Sequence, residues 1–187
     1  MEDKQMDVMQ AIRERRSVRA YQDKPIPDEL LTEILEAARL APSGSNRQEW
    51  RFIAVKDAEQ RRKLANAAGQ PFVGEAPAVI AGVSLNPTRM MSCQVPNYAV
   101  DVAIAMTSIT LAAAARGLGT CWIGAFNQEE AKKVLHIPPQ YKIVELMPVG
   151  YPADHPGQKS RKPFAEVVAY DTFQSAPMDD SPAEGGA

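Results

Sequence analysis

Three short polar clusters carry most of the residues in this chain that could do chemistry. They are Arg15-Arg16-Ser17-Val18-Arg19, the segment PSGSNRQEW at residues 42–50, and Lys159-Ser160-Arg161-Lys162-Pro163. Guanidinium groups bind phosphate through paired hydrogen bonds, so the two cationic clusters could together form one anion site. Taken singly, each cluster is typical of a solvated basic face or a polar turn. Cations at the end of a first helix also complement the helix dipole.

Several other kinds of site are not supported by the sequence. Gly117 and Gly119 follow a predicted helix rather than a strand, and Trp122 stands where a dinucleotide fingerprint needs its third glycine. The sequence has no G-K-[S/T] phosphate loop and no G-x-S-x-G nucleophile motif. Its two cysteines and two histidines lack the spacing of a zinc site, so we expect no metal.

Charge and composition limit the partners. The net charge is −2 and the pI is about 5.8, so no overall positive field would recruit nucleic acid or an anionic membrane. The longest uncharged stretch, residues 102–115, is shorter than the ~20 residues that span a bilayer. The charged N-terminus does not resemble a signal peptide, and the low cysteine count fits a reducing compartment. We therefore expect a cytoplasmic protein with no nucleic-acid or membrane partner.

Hydrophobic spacing and turn residues predict the elements that position the clusters. Asn127 is expected to cap a helix, with Glu130 completing a capping box. Helices are predicted over residues 6–16, 28–41, 57–68 and 98–116 and after Asn127, and strands over 52–55, 78–85, 120–123, 142–149 and 164–170. Loops are predicted over 42–48, 86–97 and 151–163, and residues 174–187 lack the apolar side chains to fold.

The order of these elements predicts the architecture. Two helices precede the first strand, and the helix over 98–116 is apolar on nearly every side. This order favours an α+β or three-layer domain over a nucleotide-binding fold that begins with a strand. No repeat or linker divides the chain, so we interpret residues 1–173 as one domain, followed by a disordered tail.

Five short segments also stand in a recognisable order. They are R-R-S-V-R-A-Y, A-P-S-G-S-N-R-Q-E-W-R-F, A-P-A-V-I, A-R-G-L-G-T-C-W-I-G and K-S-R-K-P. Together they resemble the flavin-dependent nitroreductase-like oxidoreductases over about residues 6–170. The resemblance implies an α+β fold of three layers, α-β-α, with a mostly antiparallel central sheet and a long buried helix. It also implies a homodimer with FMN bound between the subunits.

The resemblance assigns FMN contacts to particular residues. The turn at residues 42–46 would come from the partner subunit, and Asp101, early in the long helix, would touch the ribityl chain or the ring. A helix-capping role is the alternative for Asp101. We expect Arg13 to be solvated, and the role of Arg16 is undecided. The implied FMN-binding residues are Arg15, Arg16, Ser17, Arg19, Lys159 and Arg161 at the phosphate and ribityl chain, and Pro42, Ser43, Gly44, Asn46, Asp101, Ile123 and Gly124 at the ribityl chain and ring.

The activity implied is that of an FMN-dependent NAD(P)H oxidoreductase. NADH or NADPH would reduce FMN and leave, and a nitroaromatic, quinone or similar acceptor would then react in the same pocket. No side chain is assigned a catalytic acid or base role. One alternative is a family member specialised for dehalogenation or ene reduction. Another is a non-enzymatic protein that binds nucleic acid through residues 13–24.

The chain departs from the family pattern at two places. Glu49 stands where the family usually has proline, directly beside the turn that would contact the flavin. Residues 86–97 form a compact segment where longer members insert helices over the substrate. The resemblance therefore does not define the acceptor pocket.

Overall fold

The computed structural model describes residues 6–173. The predicted disordered tail, residues 174–187, lies outside the described residues. The chain divides into two compact units, one ending at Pro156 and one beginning at Gly157, and each is described by itself.

The first unit alternates helices with four strands. A single 3-10 turn, Gly44–Asn46, lies between the second helix and the first strand. The helices are α1 (Val8–Glu14), α2 (Asp28–Arg39), α3 (Ala58–Ala68), α4 (Phe72–Glu75), α5 (Asn97–Ala115) and α6 (Gln128–Val134), and the strands are β1 (Trp50–Val55), β2 (Ala78–Ser84), β3 (Gly119–Thr120) and β4 (Lys142–Gly150).

The four strands form one antiparallel sheet in the order β1-β2-β4-β3. Phe52 of β1, Gly82 of β2 and Glu145 of β4 lie in one row across it, and the register shifts beside Gly82. Every residue of β2 is buried. The continuous apolar run AVIAGVS follows from this position, because a central strand covered on both faces has no solvent side.

Helices cover both faces of the sheet. On one face α2 and α5 pack against β2 and β4 through side chains such as Ile34, Met106 and Met147. On the other face α3, α4 and α6 pack through side chains such as Leu64 and Leu146. The prediction of an α+β domain with three layers is therefore confirmed.

The long central helix is confirmed as α5, one residue longer at its start than predicted. Among the described residues, α5 alone has the length and apolar composition that could cross a membrane. It buries Val102, Met106 and Ile109 in the protein core and carries a buried carboxylate, Asp101, so it is the core helix of this fold. Gly117, with φ of +71°, follows its end.

Side chains cap the starts of α3 and α6. The side chain of Asp57 caps α3 by accepting a hydrogen bond from the N–H of Gln60 at 2.8 Å. Asn127 caps α6 by accepting from the N–H groups of Glu129 and Glu130, each at 3.1 Å. The reciprocal half of the predicted capping box is wrong, because the N–H of Asn127 donates to the carbonyl of Ala67 at 2.7 Å instead.

Two strand predictions need correction. The strand expected at 120–123 is shorter, because only Gly119–Thr120 pairs as a strand and Ile123 makes a separate bridge to Leu146. In the second unit, the strand expected at 164–170 is a short helix, α7 (Phe164–Val167). A strand needs a neighbour to pair with, and no strand within residues 6–173 pairs with this segment. Its Phe164 and Tyr170 are 67% and 73% exposed.

Candidate functional site

The arginine cluster lies against the edge of the sheet. Arg15 follows α1 as its C-cap, and its N–H donates to the carbonyl of Ala11 at 3.0 Å. Ser17 bridges Thr120 in parallel, and the N–H of Val18 donates to the Thr120 carbonyl at 2.9 Å. The sheet therefore fixes the backbone of this cluster.

Gly119 and Tyr21 explain how closely the arginine cluster packs against β3. A Cβ placed on Gly119 would lie 2.5 Å from Cγ2 of Val18, so no larger residue fits without a shift. The hydroxyl of Tyr21 donates to the carbonyls of Val18 at 2.8 Å and Pro148 at 3.3 Å. Burial raises the pKa of Tyr21, which keeps the donating proton in place.

A cavity of about 390 Å³ opens beside this cluster. Arg15 and Arg16 line it together with Thr120 of β3, and Asp154 and His155 line it from the loop after β4. Within residues 6–173, Arg15 enters no ion pair. A cation without a carboxylate partner at a cavity wall can bind an anion such as phosphate.

The other members of the cluster have different surroundings. Arg16 donates through Nη1 to the carbonyls of Arg13 at 2.6 Å and Arg15 at 2.8 Å, so it satisfies the end of α1 while also lining the cavity. Arg19 is exposed. Arg13 has its side chain on the exposed surface of α1, as expected.

The second cluster is attached to the start of α5. The N–H of Gly44 donates to Oδ1 of Asp101 at 3.0 Å, and the side-chain amide of Asn97 donates to Oδ2. A Cβ on Gly44 would lie 2.9 Å from Oδ1 of Asn97, so a larger residue here would displace the amide end of the Asn97 side chain. Asp101 is buried and does not cap α5, because the helix begins four residues earlier.

The turn that contains Ser43, Gly44 and Asn46 has an unusual backbone. Ser45, Asn46 and Gln48 all have φ between 53° and 54°. Non-glycine residues rarely adopt this left-handed conformation, and such strain clusters at functional sites. The hydroxyl of Ser43 supports the turn by accepting from the N–H of Gln48 at 3.0 Å.

The segment after β3 presents an open backbone. Ile123 is buried and exchanges two hydrogen bonds with Leu146 of β4, at 2.9 and 3.1 Å. Gly124 is exposed, and a Cβ placed on it would meet only Nε1 of Trp122, at 4.0 Å. The backbone at Gly124 therefore faces open space.

The described chain does not bring all predicted site residues together. The cavity lining includes Arg15 and Arg16 but none of residues 42–46 and not Asp101. Lys159 and Arg161 belong to the second unit, where both are exposed and Arg161 donates to the Ser160 carbonyl at 2.9 Å. The clamp expected between the two cationic clusters stays a prediction.

Sequence reasoning missed two features, one of them beside the strained turn. Arg89 donates to both carboxylate oxygens of Glu49, from Nε at 2.7 Å and Nη2 at 2.9 Å, and Asn86 donates to the same carboxylate at 3.2 Å. These hydrogen bonds, with that of Arg89 the largest effect, hold the pKa of Glu49 below its usual value. Glu49 was recognised as unusual, but nothing in the sequence indicates its partner.

The second missed feature is Glu145 in β4. It is fully buried, and neither carboxylate oxygen has a hydrogen-bond partner among residues 6–173. It lies opposite Gly82, where an added Cβ would touch Val102 and Met106 of α5, so the side chain of Glu145 is on the α5 face. Burial raises the pKa of Glu145 to about 9.

Comparison with known proteins decides the family. Residues 12–80 and 67–151 match the model of the nitroreductase family. The chain belongs to the nitroreductase family. This nitroreductase-family chain is 32% identical to FMN reductase [NAD(P)H] of Bacillus subtilis, a match that covers 89% of the chain and 74% of that protein.

Solved structures agree. The NADPH:FMN oxidoreductase of Vibrio harveyi, complexed with NAD+, superposes with a TM-score of 0.83 at 29% identity, covering 92% of the nitroreductase-family chain and 80% of that structure. Nitroreductase A of Vibrio parahaemolyticus superposes with a TM-score of 0.84 at 30% identity, and the match covers 96% of the chain and 80% of that structure. The resemblance and the fold predicted from the sequence are both confirmed.

Proposed function

We propose that the protein is an FMN-dependent NAD(P)H oxidoreductase that reduces a small-molecule acceptor such as a nitroaromatic or a quinone. The observation that carries this proposal is the family match, which spans most of the first unit and includes the arginine cluster, the strained turn and the open backbone at Gly124. Two of the relatives reported above are named for FMN together with NAD(P)H or NADPH. When bound, FMN supplies the hydride and electron transfer chemistry.

The residues present fit an FMN phosphate. Arg15 lines a cavity and enters no ion pair within residues 6–173, which leaves its guanidinium available for a dianion. Ser17 lies next to it on a backbone fixed by Thr120. We assign phosphate and ribityl contacts to Arg15, Arg16, Ser17 and Arg19, and the closing contacts to Lys159 and Arg161.

The ring end of FMN has two supports in the proposal. The backbone at Ile123 and Gly124 offers an open surface on which a flat ring can lie. The turn with Pro42, Ser43, Gly44 and Asn46 contacts the flavin bound to the partner subunit. Because both oxygens of Asp101 are engaged by Gly44 and Asn97, we assign Asp101 the role of positioning this turn.

A homodimer follows from the same assignment, because the arginine cluster binds one FMN and the turn contacts the FMN bound to the partner subunit. The outer face of α5 supports it: an open apolar groove of about 610 Å³ runs along Ala99, Ala103, Ile104, Thr107 and Leu111. A largely apolar face of this length is typical of an interface between subunits. We place the dimer in the cytoplasm, which agrees with the low cysteine content.

Flavin titration tests the proposal. The purified protein is depleted of flavin and titrated with FMN, and binding is followed by quenching of flavin fluorescence. We expect Arg15→Ala and Arg161→Ala to weaken FMN binding about 10- to 100-fold, the usual effect of losing a hydrogen bond to a charged group. Arg13→Ala, two residues away on the exposed surface of α1, is the matched control and should bind like the wild type.

Two results would contradict the proposal at different levels. A wild-type protein that binds no FMN and oxidises no NAD(P)H would overturn the function. Wild-type affinity in both arginine variants would overturn only the phosphate assignment.

A further inference from the structure

We infer that the ion pair between Glu49 and Arg89 holds residues 86–96 against the strained turn as a preformed wall of the acceptor site. Arg89 is then a positioning residue that determines which acceptors enter. This inference rests on the proposed function, because it concerns the substrate of that reaction.

The sheet places the turn and the wall at the same end. Trp50 begins β1 and pairs with Ser84, the last residue of β2. The pairing continues one step further, since the N–H of Leu85 donates to the carbonyl of Glu49 at 3.0 Å. The turn at 42–48 therefore enters β1 where the segment 86–96 leaves β2.

The ion pair joins these two segments with good geometry. Both carboxylate oxygens of Glu49 accept from the guanidinium of Arg89, and Asn86 adds a third hydrogen bond. The side chains of Arg89 and Glu49 are only 32% and 28% exposed. A two-point, half-buried pair of this kind is screened less and oriented better than an ion pair on the open surface.

The segment is itself a small hairpin. Met90 bridges Pro96, and the N–H of Met91 donates to the carbonyl of Val95 at 2.9 Å. The tip turns at Gln94, which has φ of +66°. The two arms close where the N–H of Asn97 donates to the carbonyl of Arg89 at 3.0 Å.

The second arm is attached to the same turn at another point. The side chain of Asn97 packs against Gly44 and donates to Asp101, and Asp101 accepts from the N–H of Gly44. The hairpin is therefore fixed to the turn twice, by Arg89 on one arm and Asn97 on the other. Two attachments hold a short hairpin in one position, so the wall exists before substrate binds.

The surface of this wall indicates the acceptor class. Residues 90–96 (MMSCQVP) contain no charge, and Met90 and Val95 are 50% and 41% exposed. Thioether and aliphatic groups make favourable contacts with aromatic rings and offer nothing to a charged group. The site is suited to flat, uncharged aromatic acceptors rather than to anionic ones.

The test compares Arg89→Ala with Arg39→Ala in the FMN-loaded enzyme. Arg39 forms a similar two-point pair with Glu36, on the exposed surface of α2, so it controls for loss of an ion pair in general. Hydrogen exchange of residues 86–96 and the kinetics with uncharged and anionic nitroaromatics are measured for both variants. The reversed pair, Glu49→Arg with Arg89→Glu, provides the rescue.

We expect Arg89→Ala to accelerate exchange in residues 86–96 at least tenfold and to raise KM for uncharged acceptors about tenfold, with kcat within twofold. Its preference for uncharged over anionic acceptors should fall. Arg39→Ala should show the same exchange rates and KM values as the wild type. The reversed pair should restore most of the slow exchange and of the low KM. Unchanged exchange, or faster exchange with unchanged KM values, would overturn the inference. Failure of the proposed function is distinct, because the wild type would then oxidise no NAD(P)H.

Discussion

The N–H of Gly44 donates to Oδ1 of Asp101 at 3.0 Å, which joins a strained surface turn to a buried carboxylate on the central helix. The hydrogen bond spans 57 residues of sequence. The carboxylate of Asp101, for which a flavin contact stays a prediction, also supports the turn through the backbone of Gly44. The turn keeps its unusual backbone because the core of the protein holds it.

Replacing Asp101 tests this relationship. Asp101→Ala leaves the N–H of Gly44 and the amide of Asn97 without their acceptor, and we expect the free energy of unfolding to fall by about 1–3 kcal/mol. Asp101→Asn retains one acceptor oxygen, so its free energy of unfolding should fall by less. Urea denaturation followed by circular dichroism measures both variants. Equal losses would show that the retained oxygen contributes nothing to stability.

Glu145 predicts a specific dependence of stability on pH. Its carboxyl has an ordinary pKa of 4.5 when unfolded and about 9 when folded. Below pH 4.5 it is neutral in both states. Between pH 4.5 and 9 only the unfolded chain releases the proton, so the group lowers stability progressively as pH rises, by at most about 1.4 kcal/mol per pH unit.

Glu145→Gln removes that titration. We expect its stability relative to the wild type to increase steadily from pH 5 to pH 8, because only the wild type must retain a proton in order to fold. Chemical denaturation at each pH measures the difference. Glu36→Gln, on the exposed surface of α2, is the matched control. Parallel curves for Glu145→Gln and the wild type would contradict the burial of a neutral carboxyl.

Gly119 and Val18 should behave as a coupled pair. A Cβ at Gly119 would lie 2.5 Å from Cγ2 of Val18, so Gly119→Ala should cost about 1–3 kcal/mol of stability. Val18→Gly removes both methyl groups and the Cβ of Val18, which would itself lie 2.7 Å from the new Cβ. The double variant should therefore lose less than the sum of the single losses, with a coupling of about 1 kcal/mol. Strict additivity in thermal or urea denaturation would disprove the contact.

The outer face of α5 should determine the oligomeric state. Ile104 lies in the groove on that face and is 38% exposed. Ile104→Glu would bury a charge in the proposed interface, and we expect the dimer to dissociate at micromolar concentration. Val8→Glu, on an exposed residue of α1, should leave the dimer intact. Light scattering after size-exclusion chromatography measures the mass, and a monomeric wild type would refute the proposed dimer.

The sequence predicted the elements whose own pattern determines them. The apolar runs of β2 and α5 and the cap residue Asn127 are local signals. The elements β2, α3, α5 and α6 were each found within a few residues of their expected bounds. The short helix α4 was missed because four residues are too few to show a helical period. Residues 164–170 were misread because the existence of a strand depends on a partner, which lies outside the segment.

In the candidate site, too, features with a local signal could be predicted and features that depend on a distant partner could not. Arg15 and Gly44 were named through the family resemblance, because both lie in short motifs that can be matched within a single sequence. The pairing of Glu49 with Arg89 joins residues 40 positions apart, and a single sequence contains no sign of it. Glu145 lies in a stretch that reads as an ordinary strand, and only the packed structure shows that its carboxyl is enclosed.

Ser17 and Val18 cover one edge of the sheet, at β3. They occupy the side of Thr120 that does not face β4, so this edge is shielded within residues 6–173. At the opposite end, β1 pairs with β2 alone and presents its other side unpaired among these residues. Open strand edges recruit further strands, including those of misfolded neighbours. Any direct extension of the four-stranded sheet, whether useful or aggregating, must therefore begin at β1.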